Sequence, residues 1–240
     1  VLHKVCGYDC CTTSSSYYQF FSISVNNVAT SKNYVNYSTI SRCVNENSNA
    51  YHTLGHGNGN VCYPSVNSSI NKCYGGSGMT CWPTSDSNSV TCLIRYSTFA
   101  DNHANLHICF WLNTAGAKYE IKNCNILRNT QGSLNTNGII YIGGNAKIED
   151  SCILENKADY IFRANSYTIT VSNCTLDSTS KTGSVVIQNT ELHALNMTLL
   201  DIWLLLYKLR LHRRNKNFAI RSRDYLFGSN KKISFHLPSF

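Results

Sequence analysis

One six-residue pattern returns along this chain at nearly constant intervals, and it limits the fold more than any other feature. The pattern is clearest at residues 124–129, CNILRN, where a small residue and a short apolar run lead to an asparagine. Counterparts end at Asn102, at Asn156 and, more weakly, at Thr179, so the steps between anchors are 27, 27 and 23 residues. We expect an earlier copy to end at Asn47. An internal repeat of this kind takes precedence over other sequence signals.

Each period contains two or three short runs of β-branched and aromatic residues, separated by Gly, Asn and Ser. Clear runs are residues 108–112, 119–122, 139–142, 146–149, 160–162, 168–171 and 185–187. The runs are too short for a helical repeat, and the LxxLxL spacing of leucine-rich repeats is missing. The sequence therefore predicts an all-β, right-handed parallel β-helix. Coils of about 23–27 residues would stack roughly 4.8 Å apart, giving about seven coils over residues 1–189.

The repeat also assigns positions within the coil. We expect Asn129 to lie at a bend, in the left-handed backbone conformation that Asn tolerates, with its amide bonded to the stacked Asn102 and Asn156. Cys124 and the equivalent Cys174 should point into the coil. There they would serve as small apolar core residues rather than as reactive thiols.

The remaining cysteines and the sequons indicate a compartment. All 12 cysteines lie between Cys6 and Cys174, and sequons begin at Asn36, Asn67, Asn173 and Asn196. Such a combination favours an oxidising, extracellular setting. No paired CxxC motifs occur, so the sequence predicts no metal site and no cofactor. Disulfides are expected in the irregularly spaced cluster Cys62, Cys73, Cys81 and Cys92.

The basic charge of the chain is confined to its C-terminal part. Residues 1–189 carry 12 Lys/Arg against 10 Asp/Glu, whereas residues 190–240 carry 9 against 3. The repeat region therefore gives no support for nucleic acid as a partner.

Several motifs together resemble a known family. They are the repeated NCxI(L)xN pattern, the corner Gly143-Gly144-Asn145-Ala146 and the run at residues 167–180, YTITVSNCTLDSTS. Over residues 30–190 the chain resembles right-handed β-helix repeat proteins of parasitic protists, which are similar to bacterial polymorphic outer-membrane and autotransporter passenger proteins. The resemblance implies a cell-surface or secreted protein with an adhesive role, often carrying one C-terminal membrane span. It implies no catalytic residues.

One motif points to an enzyme instead. His56 lies in a Gly-His-Gly sequence, and polygalacturonases use such a histidine beside paired catalytic carboxylates. No paired acids flank His56, since the nearest acids in the sequence are the isolated Glu46 and Asp86. A calcium-dependent lyase would need gathered carboxylates and a basic arginine. The equivalent Asp101, Arg128 and Glu155 are better explained as an ion-pair column on the outside of the coil.

Aromatic residues interspersed with Asn and Ser give a second hypothesis. Trp82, Tyr96 and Trp111 are candidates for a flat surface that holds glycans or a protein partner. The alternative is that these rings fill the stack or cap its ends.

The composition changes after residue 190, and this divides the chain. Residues 1–190 form the predicted β-helix, most clearly over 30–190, with 1–29 as an N-terminal fragment or cap. Residues 191–240 are Leu-rich, basic and free of Cys. Three interpretations of this tail stay open: a capping helix or disordered segment, a membrane-associated segment from Leu195 to Leu211, and an out-of-frame remnant.

These observations give an expected function with two alternatives. The expectation is a non-enzymatic, surface or secreted β-helix that binds a host or self surface protein or a glycan, with Leu195–Leu211 as its candidate membrane anchor. The first alternative is a polysaccharide-active enzyme centred on His56. The second is a degenerate fragment of a longer repeat protein.

Overall fold

The described residues form a parallel β-helix, which confirms the predicted fold class. The computed structural model describes residues 1–10, 18–43, 52–75, 78–86, 88–105, 109–132 and 137–192. Within these ranges the regular elements are all strands, and each paired strand runs parallel to its neighbours. Neighbours in a sheet come from successive coils rather than from successive strands of the sequence. This order is the topology of a solenoid.

Three faces make up each coil. The first face consists of β1 (Leu2–His3), β4 (Lys32–Asn36), β7 (Asn60–Pro64), β11 (Cys92–Arg95), β15 (Lys118–Lys122) and β19 (Asn145–Glu149). The second consists of β2 (Cys6–Tyr8), β5 (Thr39–Ser41), β8 (Asn67–Ser69), β12 (Thr98–Ala100), β16 (Asn125–Leu127), β20 (Cys152–Leu154), β22 (Thr175–Leu176) and β24 (Glu191–Leu192). The third consists of β3 (Tyr18–Ser24), β6 (His52–Gly57), β10 (Met79–Trp82), β14 (Phe110–Leu112) and β18 (Ile140–Ile142).

Two long strands and a short ladder complete the helix. Strands β21 (Phe162–Ser172) and β23 (Lys181–Gln188) pair with each other, and β21 continues both the first and the third face. The short ladder consists of β9 (Lys72–Cys73), β13 (His103–Ala104) and β17 (Thr130–Gln131).

Period-two alternation decides which side chains fill the interior. In β15, Tyr119 and Ile121 are buried, whereas Glu120 between them is only partly buried on the outer side. Ile121 is in register with Ile94 and Ile148 of the adjacent coils, and all three are fully buried. Equivalent apolar residues therefore stack into columns along the axis, and these columns are the core.

A ladder of asparagines, buried at Asn71, Asn102 and Asn129 and partly buried at Asn156, crosses successive coils. In each step a backbone N–H donates to the side-chain Oδ1 of the next coil: Cys43 to Asn71 at 3.0 Å, Asn71 to Asn102 at 3.0 Å, Asn102 to Asn129 at 3.1 Å and Asn129 to Asn156 at 3.0 Å. The Nδ2 groups of Asn102 and Asn129 donate to the next Oδ1 as well, each at 3.0 Å. The asparagines thus satisfy corner backbone groups that burial would otherwise leave without partners.

The backbone conformation at this corner differs from the one expected for Asn129. The residue in the left-handed region is Arg128, with φ of 53°, and its equivalents Asp101 and Glu155 have φ of 57°. Asn129 follows the bend and turns its amide into the coil, where it is 1% exposed. The bend falls on a residue with an outward side chain, and the Arg128 N–H donates to Leu154 O of the next coil at 3.0 Å.

The prediction that the earliest copy of the six-residue pattern ends at Asn47 is wrong. Cys43, not Asn47, lies in the ladder position, since its backbone donates to Asn71, 28 residues further on. The next step, from Asn71 to Asn102, is 31 residues. Asn47 itself lies outside the described residues. The early coils are longer than the later ones, which is why a fixed period misplaced this copy.

The two predicted core cysteines occupy one corner column with serines. Cys124 and Cys174 are buried, and their thiols donate to carbonyls two residues earlier, Lys122 O at 3.3 Å and Ser172 O at 3.2 Å. Ser151, in register between them, donates its hydroxyl in the same way to Glu149 O at 2.8 Å. Burial raises the pKa of Cys174 to about 11. These thiols therefore act as buried weak donors as well as packing groups.

Charged side chains stack outside the left-handed corner. Arg128 Nε and Nη2 donate to the two carboxylate oxygens of Asp101 at 2.7 and 2.8 Å. Arg42 makes the same two-point contact with Asp9, at 2.7 and 2.6 Å. All four side chains are about half exposed, so these contacts are surface ion pairs.

We expect Arg128→Ala to lower the free energy of unfolding by no more than about 1 kcal/mol, because exposed ion pairs are screened by water and salt. Urea unfolding of the full chain at low and at high salt measures this, and the small difference should shrink at high salt. A loss above about 2 kcal/mol would show that the pair is more than a surface contact.

Both ends of the predicted helix are informative. Strands β1 and β2 pair with β4 and β5, so residues 1–10 belong to the stack. Strand β24 pairs with β22, which carries the parallel ladder two residues past residue 190. By compactness the chain divides into Val1–His193 and Ala194–Phe240. The second unit, with the stretch from Leu195 to Leu211, lies outside the described residues.

Candidate functional site

The outer side of the third face carries one column of aligned residues. These positions are Gly55, Thr80, Trp111, Tyr141 and Arg163, each the Cα partner of the next. Trp111 faces outwards because its neighbours in β14, Phe110 and Leu112, are fully buried in the interior. Adjacent strands lie about 4.8 Å apart. Trp111 and Tyr141, in adjacent coils, are therefore neighbours on one surface.

Trp82 joins this column from the end of β10. The ring centroids of Trp82 and Trp111 lie 5.7 Å apart at 68°, an edge-to-face contact. The ring of His52 is 5.3 Å from Trp111 and 5.7 Å from Trp82. His52 is fully buried, and its Nδ1 lies 2.7 Å from Thr80 Oγ1. The two partly exposed indoles thus both contact a buried histidine that is itself hydrogen-bonded.

Polar contacts hold the next ring. Asn165 Nδ2 donates to the hydroxyl of Tyr141 at 2.8 Å, and the guanidinium of Arg163 lies 5.6 Å from the centroid of the Tyr141 ring. Arg163 Nη1 also donates to Asn137 Oδ1 at 2.5 Å. We call Trp82, Trp111 and Tyr141 the aromatic platform. It offers three ring systems of fixed orientation with a cation at one end.

The Gly-His-Gly motif lies in β6, one coil before the strand that carries Trp82. The alternation of inward and outward side chains along β6 explains its composition. Gly55 and Gly57 pair with Thr80 and Trp82 on the outer side, whereas His56 pairs with the buried Cys81. A Cβ at Gly57 would lie 3.0 Å from Ser24 Oγ of the preceding coil. Both glycines therefore hold outer positions, Gly57 lies close to the preceding strand, and the histidine is an interior residue.

His56 has no access to a substrate. It is fully buried, its ring makes edge contacts with Phe21 and Tyr63, and its Nδ1 lies 2.8 Å from Asn33 Oδ1. Asn33 Nδ2 donates to the carbonyls of Ile23, Gly57 and Asn58, so its Oδ1 accepts and His56 Nδ1 carries the proton. Burial lowers the pKa of His56 to about 3. The geometry gives no support to a glycosidase centred on this side chain.

Tyr96 lies apart from the two tryptophans. It occupies a left-handed corner after β11, with φ of 53°, and is 48% exposed. Its equivalents in the adjacent coils are Ser65 and Asn123, which have the same backbone conformation. The structure therefore brings together Trp82 and Trp111 of the three predicted surface aromatics, and it places Tyr96 on another edge.

Sequence reasoning missed His52, Tyr141 and Arg163. The repeat does point to Tyr141, because the runs at residues 108–112 and 139–142 each follow an asparagine anchor, and Tyr141 is the counterpart of Trp111. His52 and Arg163 carried no such signal. The position of His52 depends on the irregular pairing of β3 with β6, and that of Arg163 depends on the pairing of β18 with β21.

Comparison with known proteins finds no matching family model, no match among curated proteins and no match among solved structures. Among the described residues, no group of three or more His, Cys, Asp and Glu side chains is placed to hold a metal ion. The same part of the chain contains no helix long and apolar enough to cross a membrane. The fold and the aromatic platform are therefore the observations that bear on function.

Proposed function

We propose that this protein is a non-enzymatic, surface or secreted β-helix that binds glycans on its aromatic platform. The observation that carries the proposal is the contact between Trp82 and Trp111 on the outer side of adjacent coils, 5.7 Å between ring centroids. Sugar rings present C–H groups on one face and hydroxyls at the edge. A fixed indole binds the first, and amide, hydroxyl and guanidinium groups bind the second.

The arrangement of the platform suits a chain of sugars rather than a single one. Trp111 and Tyr141 are in register at the coil spacing of about 4.8 Å, which is of the same order as the length of one pyranose residue, and the ring of Trp82 lies beside them, 5.7 Å from that of Trp111. Arg163 at one end of the column adds a positive charge, and no carboxylate lies among the five aligned positions. A glycan lying along the helix axis would contact Trp82, Trp111 and Tyr141 in turn.

A glycan array followed by titration of the strongest ligand tests the proposal. We expect Trp111→Ala to weaken binding about ten-fold to a hundred-fold, since a central aromatic anchor contributes about 2 kcal/mol and 1.4 kcal/mol corresponds to ten-fold. Tyr96→Ala is the matched control, because it removes an exposed ring from a different edge, and its affinity should equal that of the wild type. Circular dichroism checks that both variants keep their fold.

Two results would contradict the proposal. One is an equal loss of binding in Tyr96→Ala and Trp111→Ala, which would make the effect non-specific. The other is release of reducing sugars from pectin or another uronan by the wild type, which would show an enzyme rather than a binding protein.

A further inference from the structure

The interior of the β-helix contains two thiols in direct contact. Cys81 of β10 and Cys92 of β11 belong to the same coil, and their Sγ atoms lie 3.7 Å apart. Both residues are buried, with exposures of 0% and 1%. Strand β10 pairs with β6 and β14, whereas β11 pairs with β7 and β15. The two sulfurs therefore meet between two different faces of the coil.

The other cysteines of the sequence cluster point elsewhere. Cys62 alternates with the buried Val61 and Tyr63 in β7 and so faces the outside, where it is partly exposed. Cys73 is buried in β9, where its thiol contacts Thr53 and the backbone of Gly75. Of the four clustered cysteines, the fold thus brings Cys81 and Cys92 together.

We propose that Cys81 and Cys92 form a disulfide bond that joins the third face to the first within one coil. A disulfide has an S–S length of about 2.05 Å, so the sulfurs must approach by less than one such bond length, which side-chain rotation can provide. The oxidant is a small disulfide such as oxidised glutathione. One cysteine thiolate attacks it and releases one glutathione, and the second thiolate then displaces the other. Two thiols are oxidised, one glutathione disulfide is reduced to two thiols, and two protons pass between them.

The timing of this step follows from burial. Desolvation raises the pKa of Cys81 far above its ordinary value, so the thiolate that must attack is scarce once the coil has closed. The disulfide therefore forms during folding, before β10 and β11 enclose the two sulfurs. The bond closes a short loop that includes Trp82. It also links β10, the strand that carries Trp82, to β11 of the first face.

Peptide mapping of the full chain tests the pairing. The chain is refolded in a mixture of oxidised and reduced glutathione, alkylated in denaturant without reduction, and digested with trypsin. Residues 73–95 form one tryptic peptide with three cysteines, Cys73, Cys81 and Cys92. We expect a single alkyl group, on Cys73, with a peptide mass about 2 Da below that of the dithiol form, and three alkyl groups after reduction.

Other labelling patterns would overturn the pairing. Three alkyl groups without reduction, a bridge that contains Cys73, or glutathione retained on Cys81 or Cys92 each contradict it. Cys62→Ser is the matched control, since its side chain faces outwards, and it should leave the pattern unchanged. Cys92→Ser should leave Cys81 alkylated, and because the wild-type peptide decides the question, the result does not depend on the stability of that variant.

Discussion

Replacement of Asn129 by alanine is expected to lower the free energy of unfolding by about 3–5 kcal/mol, because it leaves several buried polar groups without partners at about 1–3 kcal/mol each. Asn129 Oδ1 accepts from the backbone N–H of Asn102 at 3.1 Å and from its Nδ2 at 3.0 Å. Asn129 Nδ2 donates to Phe99 O at 3.0 Å. Alanine supplies none of these contacts, and the site is only 1% exposed, so water cannot replace them without entering the coil.

Asn125→Ala is the matched control for this prediction. Asn125 lies in β16, four residues before Asn129, points outwards, and makes one long side-chain contact, 3.4 Å from Nδ2 to Thr98 Oγ1. Its loss should cost no more than about 1 kcal/mol. Urea unfolding followed by circular dichroism measures both variants. Equal costs for Asn125→Ala and Asn129→Ala would show that the ladder adds nothing beyond general strand packing.

The β-helix could be predicted from the sequence because two independent periods agree. Alternation by two within each short run specifies which side chains are buried, as with Tyr119 and Ile121 in β15. The return of the pattern after 27, 27 and 23 residues then specifies which residues stack. In the later coils both periods are regular, and the register of Thr98 with Asn125 and Cys152 follows from the sequence alone.

The early coils could not be placed in this way. Their lengths of 28 and 31 residues differ because the connections between faces differ, and the apolar pattern does not show where a connection gains residues. The bend at Asn129 was misassigned for a different reason. Asn tolerates the left-handed backbone region better than most residues, which favoured placing Asn129 at the bend. The hydrogen bonds of its inward amide to the adjacent coils are worth more. The left-handed conformation therefore falls on Arg128, although Arg is poorly suited to it.

The candidate site shows the same division. That Trp111 and Tyr141 are equivalent follows from the repeat, whereas the contact of Trp82 with Trp111 depends on the register between β10 and β14. No sequence pattern pointed to His52, because it lies before the Gly-His-Gly motif, where the pairing of β6 with β3 shifts register between Tyr18 and Phe21. Residue type can therefore identify candidate surface residues, but only the register of the strands determines which of them lie on the same surface.

His56 makes the stability of the β-helix depend on acid. Burial holds its pKa at about 3 in the folded protein, whereas an exposed histidine titrates near pH 6.5. Between these values the unfolded chain binds a proton that the folded protein does not. Stability should therefore be complete above about pH 6.5 and fall by about 1.4 kcal/mol per pH unit towards pH 3 on account of this residue.

We expect His56→Gln to remove this part of the acid dependence, so that urea midpoints of the variant fall less between pH 7 and pH 4 than those of the wild type. Carboxylates titrate in both proteins, and their contribution cancels in the difference. Tyr63→Phe is the control: its ring contacts His56, its buried hydroxyl has no hydrogen-bond partner among the described residues, and it should keep the wild-type slope. Parallel pH profiles for the wild type and His56→Gln would mean that the histidine accepts a proton inside the fold, which would contradict its burial as a neutral side chain.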